Sequence, residues 1–187
     1  MCKIEWIETD LSINQYIRKL RREGFRKLGS GAYASAFAKP NGRRVYRVGE
    51  LYYEDRSTKI GNYAYMDFLK EAIKHKNNPW FPKFHKAVIY SISDENHKYL
   101  SVYMERLYSF GYRPQAGQES SLIERLIEYK NEFINLFGNS MERKARKDFE
   151  EMIRVMEKLQ RRHGLDMHNG NIMRRKNGQF VITDPVA

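Results

Sequence analysis

The sequence has one cysteine, few prolines and no long apolar run. Because Cys2 is the single cysteine among 187 residues, the chain cannot form an internal disulfide, and a reducing compartment is expected. No apolar stretch approaches the roughly 18 residues that a membrane-spanning helix needs. The first residues, Met-Cys-Lys-Ile-Glu-Trp, contain an early acid and lack the apolar core of a signal peptide. We therefore expect a cytoplasmic protein without membrane contact.

Positive charge and aromatic side chains are abundant. The chain has 34 Lys and Arg against 23 Asp and Glu, a net charge of +11, with 41% apolar and 13% aromatic residues. The apolar content predicts a globular protein rather than a disordered one. The charge favours an anionic partner, namely an acidic protein, a nucleic acid or nucleotide phosphates. For the basic run from Arg18 to Arg22, a solvated helix end is a better explanation than a nucleic-acid surface.

Three side chains with the chemistry of phosphoryl transfer lie near the end of the sequence. Asp166 precedes Asn171 by five residues, and Asp184 ends an alternating apolar run that follows an Asn177-Gly178 turn. Phosphoryl transfer needs one group that orients the attacking hydroxyl and oxygen ligands that hold Mg²⁺. The alternative interpretation of Asp166 and Asn171 is a polar surface turn after a helix.

The order Asp-x₄-Asn, strand, Asp resembles the catalytic loop and metal-binding segment of the protein-kinase-like superfamily. The form Asp-Met-His-x-x-Asn is similar to its atypical members, which include small-molecule phosphotransferases, RIO-type kinases and small kinases of tailed bacteriophages. The closing Ile-Thr-Asp-Pro most resembles the phage group. The resemblance implies that Asp166 is the catalytic base, that Asn171 and Asp184 bind Mg²⁺, and that ATP is the phosphoryl donor. His168 then structures the loop or contacts a phosphate.

A glycine-containing hairpin earlier in the chain extends the resemblance. Residues 25–37 and 44–48 predict two strands around a small-residue turn, then an Asn-Gly turn and a third strand. Gly29, Ser30 and Gly31 have the spacing of a kinase glycine-rich loop, in which backbone N–H groups approach phosphate oxygens. An ordinary hairpin turn is the alternative.

Two departures from the kinase pattern occur in this region. Ala34 stands in place of the third glycine of the loop, and Arg47 in place of the lysine of the third strand. Arginine keeps the positive charge but is a planar fork, so the exchange is not conservative. We still expect Arg47 to face the phosphates.

The segments that follow supply the remaining predicted nucleotide contacts. Residues 63–76 predict a helix whose Glu71 pairs with Arg47, although a solvated glutamate is nearly as good an explanation. Residues 83–93 and 98–107 predict two strands, and the resemblance makes the end of the second a hinge. Its residues Glu105 and Leu107 are then expected to bind the adenine edge.

The predicted fold is α+β, a two-lobed protein-kinase-like fold with an antiparallel-sheet N-lobe and a reduced helical C-lobe. The expected divisions are an N-terminal helix within 1–24, which covers 9–23 and is capped by Thr9 or Asp10, an N-lobe over 25–107 and a C-lobe over 108–187. Apolar periodicity predicts C-lobe helices at 121–136 and 141–162.

Three functions stay open at this stage. The first is an ATP- and Mg²⁺-dependent Ser/Thr kinase of the phage type that acts on host proteins. Leu165 stands where many kinases have an arginine that binds a phosphorylated activation loop. Regulation by such a loop is therefore not expected. Arg47, Ala34 and the end of the sequence three residues after Asp184 also suit a kinase-like protein that only binds an acidic protein or nucleic acid. The third is a small-molecule phosphotransferase.

Overall fold

The computed structural model describes residues 2–31, 33–51, 63–93, 98–109, 143–164 and 171–185. These ranges contain strands and helices together, so the predicted α+β class is confirmed. The strands are β1 (Ile4–Thr9), β2 (Arg26–Ser30), β3 (Ala34–Ala38), β4 (Arg44–Leu51), β5 (Phe84–Ile92), β6 (Lys98–Glu105), β7 (Ile172–Arg174) and β8 (Phe180–Ile182). The helices are α1 (Ile13–Arg22), α2 (Tyr63–Lys74) and α3 (Arg143–Gln160).

The chain divides into two compact units. The first contains Met1–Tyr63 and Lys83–Arg106, and the second contains Ala64–Pro82 and Leu107–Ala187. Helix α2 therefore groups with the second unit although its neighbours in sequence, β4 and β5, belong to the first.

A six-stranded sheet forms the first unit, in the order β1-β5-β6-β4-β3-β2. Every neighbouring pair is antiparallel except β1 and β5, which are parallel. The predicted strands β2 to β6 are confirmed, with the Asn-Gly turn between β3 and β4. Strand β1 was not predicted.

Helix α1 starts later than the sequence analysis predicted. Ser12, rather than Thr9 or Asp10, is the N-cap, and it forms a capping box with Gln15. The prediction was wrong because β1 continues to Thr9, which pairs with Ile92, and the helix begins only at Ile13. A serine followed three residues later by glutamine satisfies two of the free N–H groups at a helix start.

Aromatic side chains fill the space between α1 and the sheet. Tyr16 and Leu20 of α1 are buried against Phe37, Val48 and Tyr99 of the strands. The Tyr16 hydroxyl forms a 3.0 Å hydrogen bond with the Ser101 hydroxyl. Because consecutive strand residues point to opposite faces, the residues next to Val48 along β4 face away from α1.

The second unit contains α2, α3 and the β7–β8 hairpin. The predicted α3 stripe is confirmed, since its six members are all buried: Phe149, Met152, Ile153, Val155, Met156 and Leu159. Trp80, after α2, packs edge to face on Phe149 with ring centroids 5.6 Å apart. The predicted helix at 121–136 lies outside the described residues.

The β7–β8 hairpin turns at Gly178. Its φ of +86° is a left-handed conformation that glycine adopts without the steric cost of a Cβ. None of the described helices combines the length and the apolar character that crossing a bilayer requires.

Candidate functional site

Gly29 and Arg47 lie in one row across the sheet of the first unit. The strand register pairs Gly29 with Ala36, Ala36 with Arg47, and Arg47 with Val102. Directly paired residues project to the same face of a sheet, so the Arg47 side chain is on the face of Ala36, opposite the face that α1 covers. Two strand spacings of about 4.8 Å separate the glycine backbone from Arg47.

Small residues surround Arg47 on its face of the sheet. Ala36 is its partner on β3, and the next pair on the same face of the two strands is Ala34 with Gly49. The alanine that departs from the expected third glycine thus belongs to a group of side chains too short to cover the arginine. Arg47 itself is partly buried.

The two glycines of the turn are not explained by packing or by backbone strain. A Cβ at Gly29 or Gly31 would meet no described atom within 4 Å, and neither residue has a positive φ. The space above both residues is therefore open to a group that approaches the backbone closely. The Gly31 N–H already donates to the Ala34 carbonyl at 2.9 Å and closes the turn.

Two backbone N–H groups of the predicted hinge already donate hydrogen bonds to other residues. The Glu105 N–H donates to the Lys83 carbonyl at 2.9 Å, and the Lys83 N–H donates to the Glu105 carboxylate at 2.8 Å. The Arg106 N–H donates to the Arg43 carbonyl. Leu107 is buried, and its N–H has no hydrogen-bond partner among the described residues.

Arg106 has a structural role that the sequence did not indicate. Its guanidinium donates to the carbonyls of Pro40 and Gly42 at 3.1 and 3.3 Å, and at 3.4 Å to Lys39. One side chain thus ties the end of β6 to the turn between β3 and β4.

Glu71 is buried and pairs with two lysines of the second unit. Its Oε1 accepts hydrogen bonds from Lys74 at 2.8 Å and from Lys158 on α3 at 2.9 Å. Burial alone raises the pKa of this carboxyl, but the two ammonium groups outweigh burial, and the net pKa of Glu71 is lowered. The expected pairing with Arg47 stays a prediction.

The end of α3 is tied to α2 through Asp67. The Asp67 carboxylate is 3.2 Å from Nε2 of His163 and 3.7 Å from the Arg162 guanidinium. Although burial raises the pKa of Asp67, the hydrogen bonds from His163 and Lys70 lower it below its ordinary value. His163 lies three residues before Asp166, so this contact fixes the point from which the Asp166 segment departs.

Asn78 and His75 continue the α2–α3 contacts. The buried Asn78 amide donates to the Asp148 carbonyl at 2.7 Å and to the Glu151 carboxylate at 2.9 Å. His75 Nδ1 is 3.0 Å from the same carboxylate. The Asn78 hydrogen bond, with His75, lowers the pKa of Glu151.

The β7–β8 hairpin brings the segments of Asn171 and Asp184 together. Ile172 pairs with Ile182, and just beyond that pair the Thr183 N–H and hydroxyl both donate to the Asn171 carbonyl, at 2.8 and 3.0 Å. Asn171 and Asp184 are both partly exposed. Their side chains offer the oxygen donors that Mg²⁺ prefers.

The hairpin is fastened to the segment after α2. The Arg175 guanidinium donates to the carbonyls of Pro79 and Phe81 at 2.6 and 3.0 Å, and the Ile182 N–H donates to the Trp80 carbonyl at 2.9 Å. These hydrogen bonds hold the β7–β8 hairpin to the segment that follows α2.

Other metal-binding arrangements are absent from the described ranges. No group of three or more His, Cys, Asp or Glu side chains converges there. Asp166 and His168 lie outside the described residues, so their predicted roles stay predictions.

Comparison with protein-family models gives one match, which covers residues 4–187 and is described as bacteriophage T7 protein kinase 0.7. The search of curated proteins gives no match.

Proposed function

The chain belongs to the bacteriophage T7 protein kinase 0.7 family, and we propose that it transfers the γ-phosphoryl group of ATP to serine or threonine hydroxyls of host proteins, with Mg²⁺. The observation that supports this most strongly is the β7–β8 hairpin, which holds the Asn171 and Asp184 segments side by side. A carboxamide and a carboxylate on adjacent backbone form an oxygen donor pair for a hard cation.

The first unit supports the nucleotide half of the proposal. Arg47 shares a row with Gly29, and small side chains flank it. A guanidinium at that position neutralises the α- and β-phosphates, while the backbone at Gly29 and Ser30 approaches phosphate oxygens with no side chain in between. The adenine edge is assigned to Leu107 and the carbonyl of Glu105.

We further propose the two-lobed kinase fold, with an N-lobe over 25–107, a C-lobe over 108–187 and the first 24 residues as an addition to the N-lobe. The order of elements supports it. A glycine-containing hairpin is followed by a strand with a cation, a helix with a buried glutamate and two antiparallel strands that end at the predicted hinge.

Each polar group has a separate role in the proposed reaction. Asp166 would accept a hydrogen bond from the substrate hydroxyl, orient it and take its proton as the hydroxyl oxygen bonds to the γ-phosphorus and ADP leaves with the β–γ bridging oxygen. Asn171 and Asp184 would hold Mg²⁺, which would neutralise charge on the phosphates. The His163–Asp67 contact anchors the chain three residues before Asp166, and a fixed starting point for that segment supports the proposed role of Asp166.

Incubation of the protein with γ-labelled ATP and a bacterial host lysate tests the proposal. We expect label in lysate proteins when Mg²⁺ is present and none when it is chelated. Acid hydrolysis of the labelled bands should release phosphoserine or phosphothreonine. Label confined to phosphotyrosine contradicts the assignment to serine and threonine, and label only in small molecules favours a small-molecule phosphotransferase.

A further inference from the structure

A cluster of cations without acidic partners marks the outer surface of the first unit. Five exposed basic residues on the α1 side of the sheet make no ion pair with any described residue: Arg18, Lys19, Arg21, Arg22 and Lys27. Glu23 is the one acid in the same stretch. We call these five residues the basic ridge.

Some cations elsewhere in the described parts of the chain have carboxylate partners. Lys70 pairs with Asp67, Lys144 with Asp148, and Arg146 with Glu150. No described carboxylate offsets the cations of the basic ridge in this way, although like charges at such short separations repel one another.

The helix dipole accounts for only part of the ridge. Cations in the last turn of a helix are stabilised by the negative end of the dipole, and Lys19, Arg21 and Arg22 occupy that turn of α1. Lys27 lies on β2, beyond the reach of this effect, and pairs with Phe37 on the sheet face that α1 covers. The ridge therefore combines two elements into one positive surface.

A depression with phosphate-binding chemistry lies on one side of α1. Arg18, Arg21 and Lys27 line it together with the polar side chains of Asn14 and Ser35. Guanidinium forks, an ammonium group, an amide and a hydroxyl all donate hydrogen bonds to phosphate oxygens.

A second depression, on the other side of α1, is lined by tyrosines. Tyr16, Tyr46, Tyr90 and Tyr103 contribute to its wall, with Lys19 of the ridge beside them. The Tyr16 hydroxyl is already hydrogen-bonded to Ser101 at 3.0 Å, so Tyr16 contributes ring surface to the depression rather than a free hydroxyl.

We propose that this face of the first unit binds single-stranded nucleic acid, with backbone phosphates on the basic ridge and a base in the tyrosine-lined depression. An acidic protein segment needs only the charge, whereas aromatic walls next to a cationic surface are the combination that binds unpaired bases. A base must leave its stack to enter the depression, and in a double helix this also breaks a base pair, so a single strand is the favoured ligand.

Binding of fluorescent 20-nucleotide RNA and DNA single strands, measured by anisotropy at several salt concentrations, tests the proposal. The test variant is Arg18→Ala/Arg21→Ala/Lys27→Ala. The control variant is Lys70→Ala/Lys144→Ala/Arg146→Ala, which removes the same charge from ion-paired positions. A duplex of the same length and polyglutamate serve as competitors.

We expect the wild type and the control to bind single strands, and the test variant to bind at least tenfold more weakly. The slope of log K against log salt should fall by about 0.7 for each phosphate that the test variant no longer neutralises. Photo-crosslinks from 4-thiouridine RNA should map to peptides that contain the depression tyrosines. Equal weakening of both variants, preference for the duplex, stronger competition by polyglutamate, or no binding by the wild type overturns the proposal.

Discussion

At the scale of single residues, the proposed metal site consists of the side-chain oxygens of Asn171 and Asp184. Asn171 and Asp184 were identified from their spacing around an apolar run, and the structure places their segments at the open end of one hairpin. The sequence made this predictable because the Asn177-Gly178 turn fixes which residues pair. The Thr183 hydrogen bonds to the Asn171 carbonyl could not be predicted, since they lie beyond the last paired residues of the two strands.

Replacement of Asp184 by asparagine should weaken Mg²⁺-dependent nucleotide binding. The change removes one anionic oxygen ligand from a hard cation and keeps the side-chain volume. We expect ATP with Mg²⁺ to raise the melting temperature of the wild type more than ATP alone, and the Asp184→Asn variant to lose this increment. Asp10→Asn, at an exposed position of the first unit, is the control. A wild type whose melting temperature is indifferent to Mg²⁺ argues against the metal site.

Substitutions of Arg47 test its proposed contact with the phosphates of ATP. Arg47→Ala should lower both ATP affinity and rate, while Arg47→Lys should keep much of each, because a lysine retains the charge at this position. Arg44→Ala is a matched control on the same strand, since Arg44 stacks on Tyr103 and faces the opposite side of the sheet. ATP titrations that do not distinguish the four proteins rule out the assigned role.

Several important residues were beyond reach of sequence analysis. Lys158 is 87 residues from Glu71, and His163 is 96 residues from Asp67. No local pattern reports such partners, because many lysines and histidines in the chain are chemically equivalent until the helices pack. Glu71 was singled out for its helix, but the lysines that lower its pKa were not.

Secondary-structure elements were more predictable than individual contacts. Strands β2 to β6 follow from alternation and turn residues, and the buried stripe of α3 follows from apolar spacing. Strand β1 could not be predicted in this way, because only two of its six residues are even partly buried. It is extended because it pairs with β5, beginning with Ile4 opposite Ala87. That missed strand also displaced the predicted start of α1.

The polar contacts between α2 and α3 should make stability depend on pH in the acid range. Hydrogen bonds hold the pKa of Asp67, Glu71 and Glu151 below their ordinary values. The unfolded chain therefore binds protons at these groups more readily than the folded chain. Their stabilisation is present above the unfolded pKa values, near 4, and disappears as pH falls through the lower folded values.

We expect the melting temperature to fall between pH 6 and pH 3, and Glu71→Gln to reduce the size of this fall. The neutral amide keeps the shape but removes a charge that Lys74 and Lys158 stabilise. Glu8→Gln, on exposed β1, is the control and should follow the wild-type curve. Parallel curves for all three proteins would show that the Glu71 pairs do not contribute.

In the molecule as a whole, each compact unit carries a different part of the proposed chemistry. The first holds the glycine turn and Arg47, and the second holds Asn171 and Asp184. The sequence order of these parts predicted the family, which the match over residues 4–187 bears out. The net charge of +11 did not identify a surface by itself. The structure supplied that information, because it places Arg18, Arg21 and Lys27 around one depression beside α1.

Phosphoryl transfer by an Asp166→Ala variant is the sharpest test of the proposed kinase activity. With γ-labelled ATP, Mg²⁺ and protein substrate, we predict labelling about 10²- to 10⁴-fold below the wild type, which is the usual effect of losing a general base. The variant should keep the wild-type melting temperature, and Asp10→Ala should label as the wild type does. Equal labelling by Asp166→Ala and wild type would contradict the assignment of Asp166 as the catalytic base.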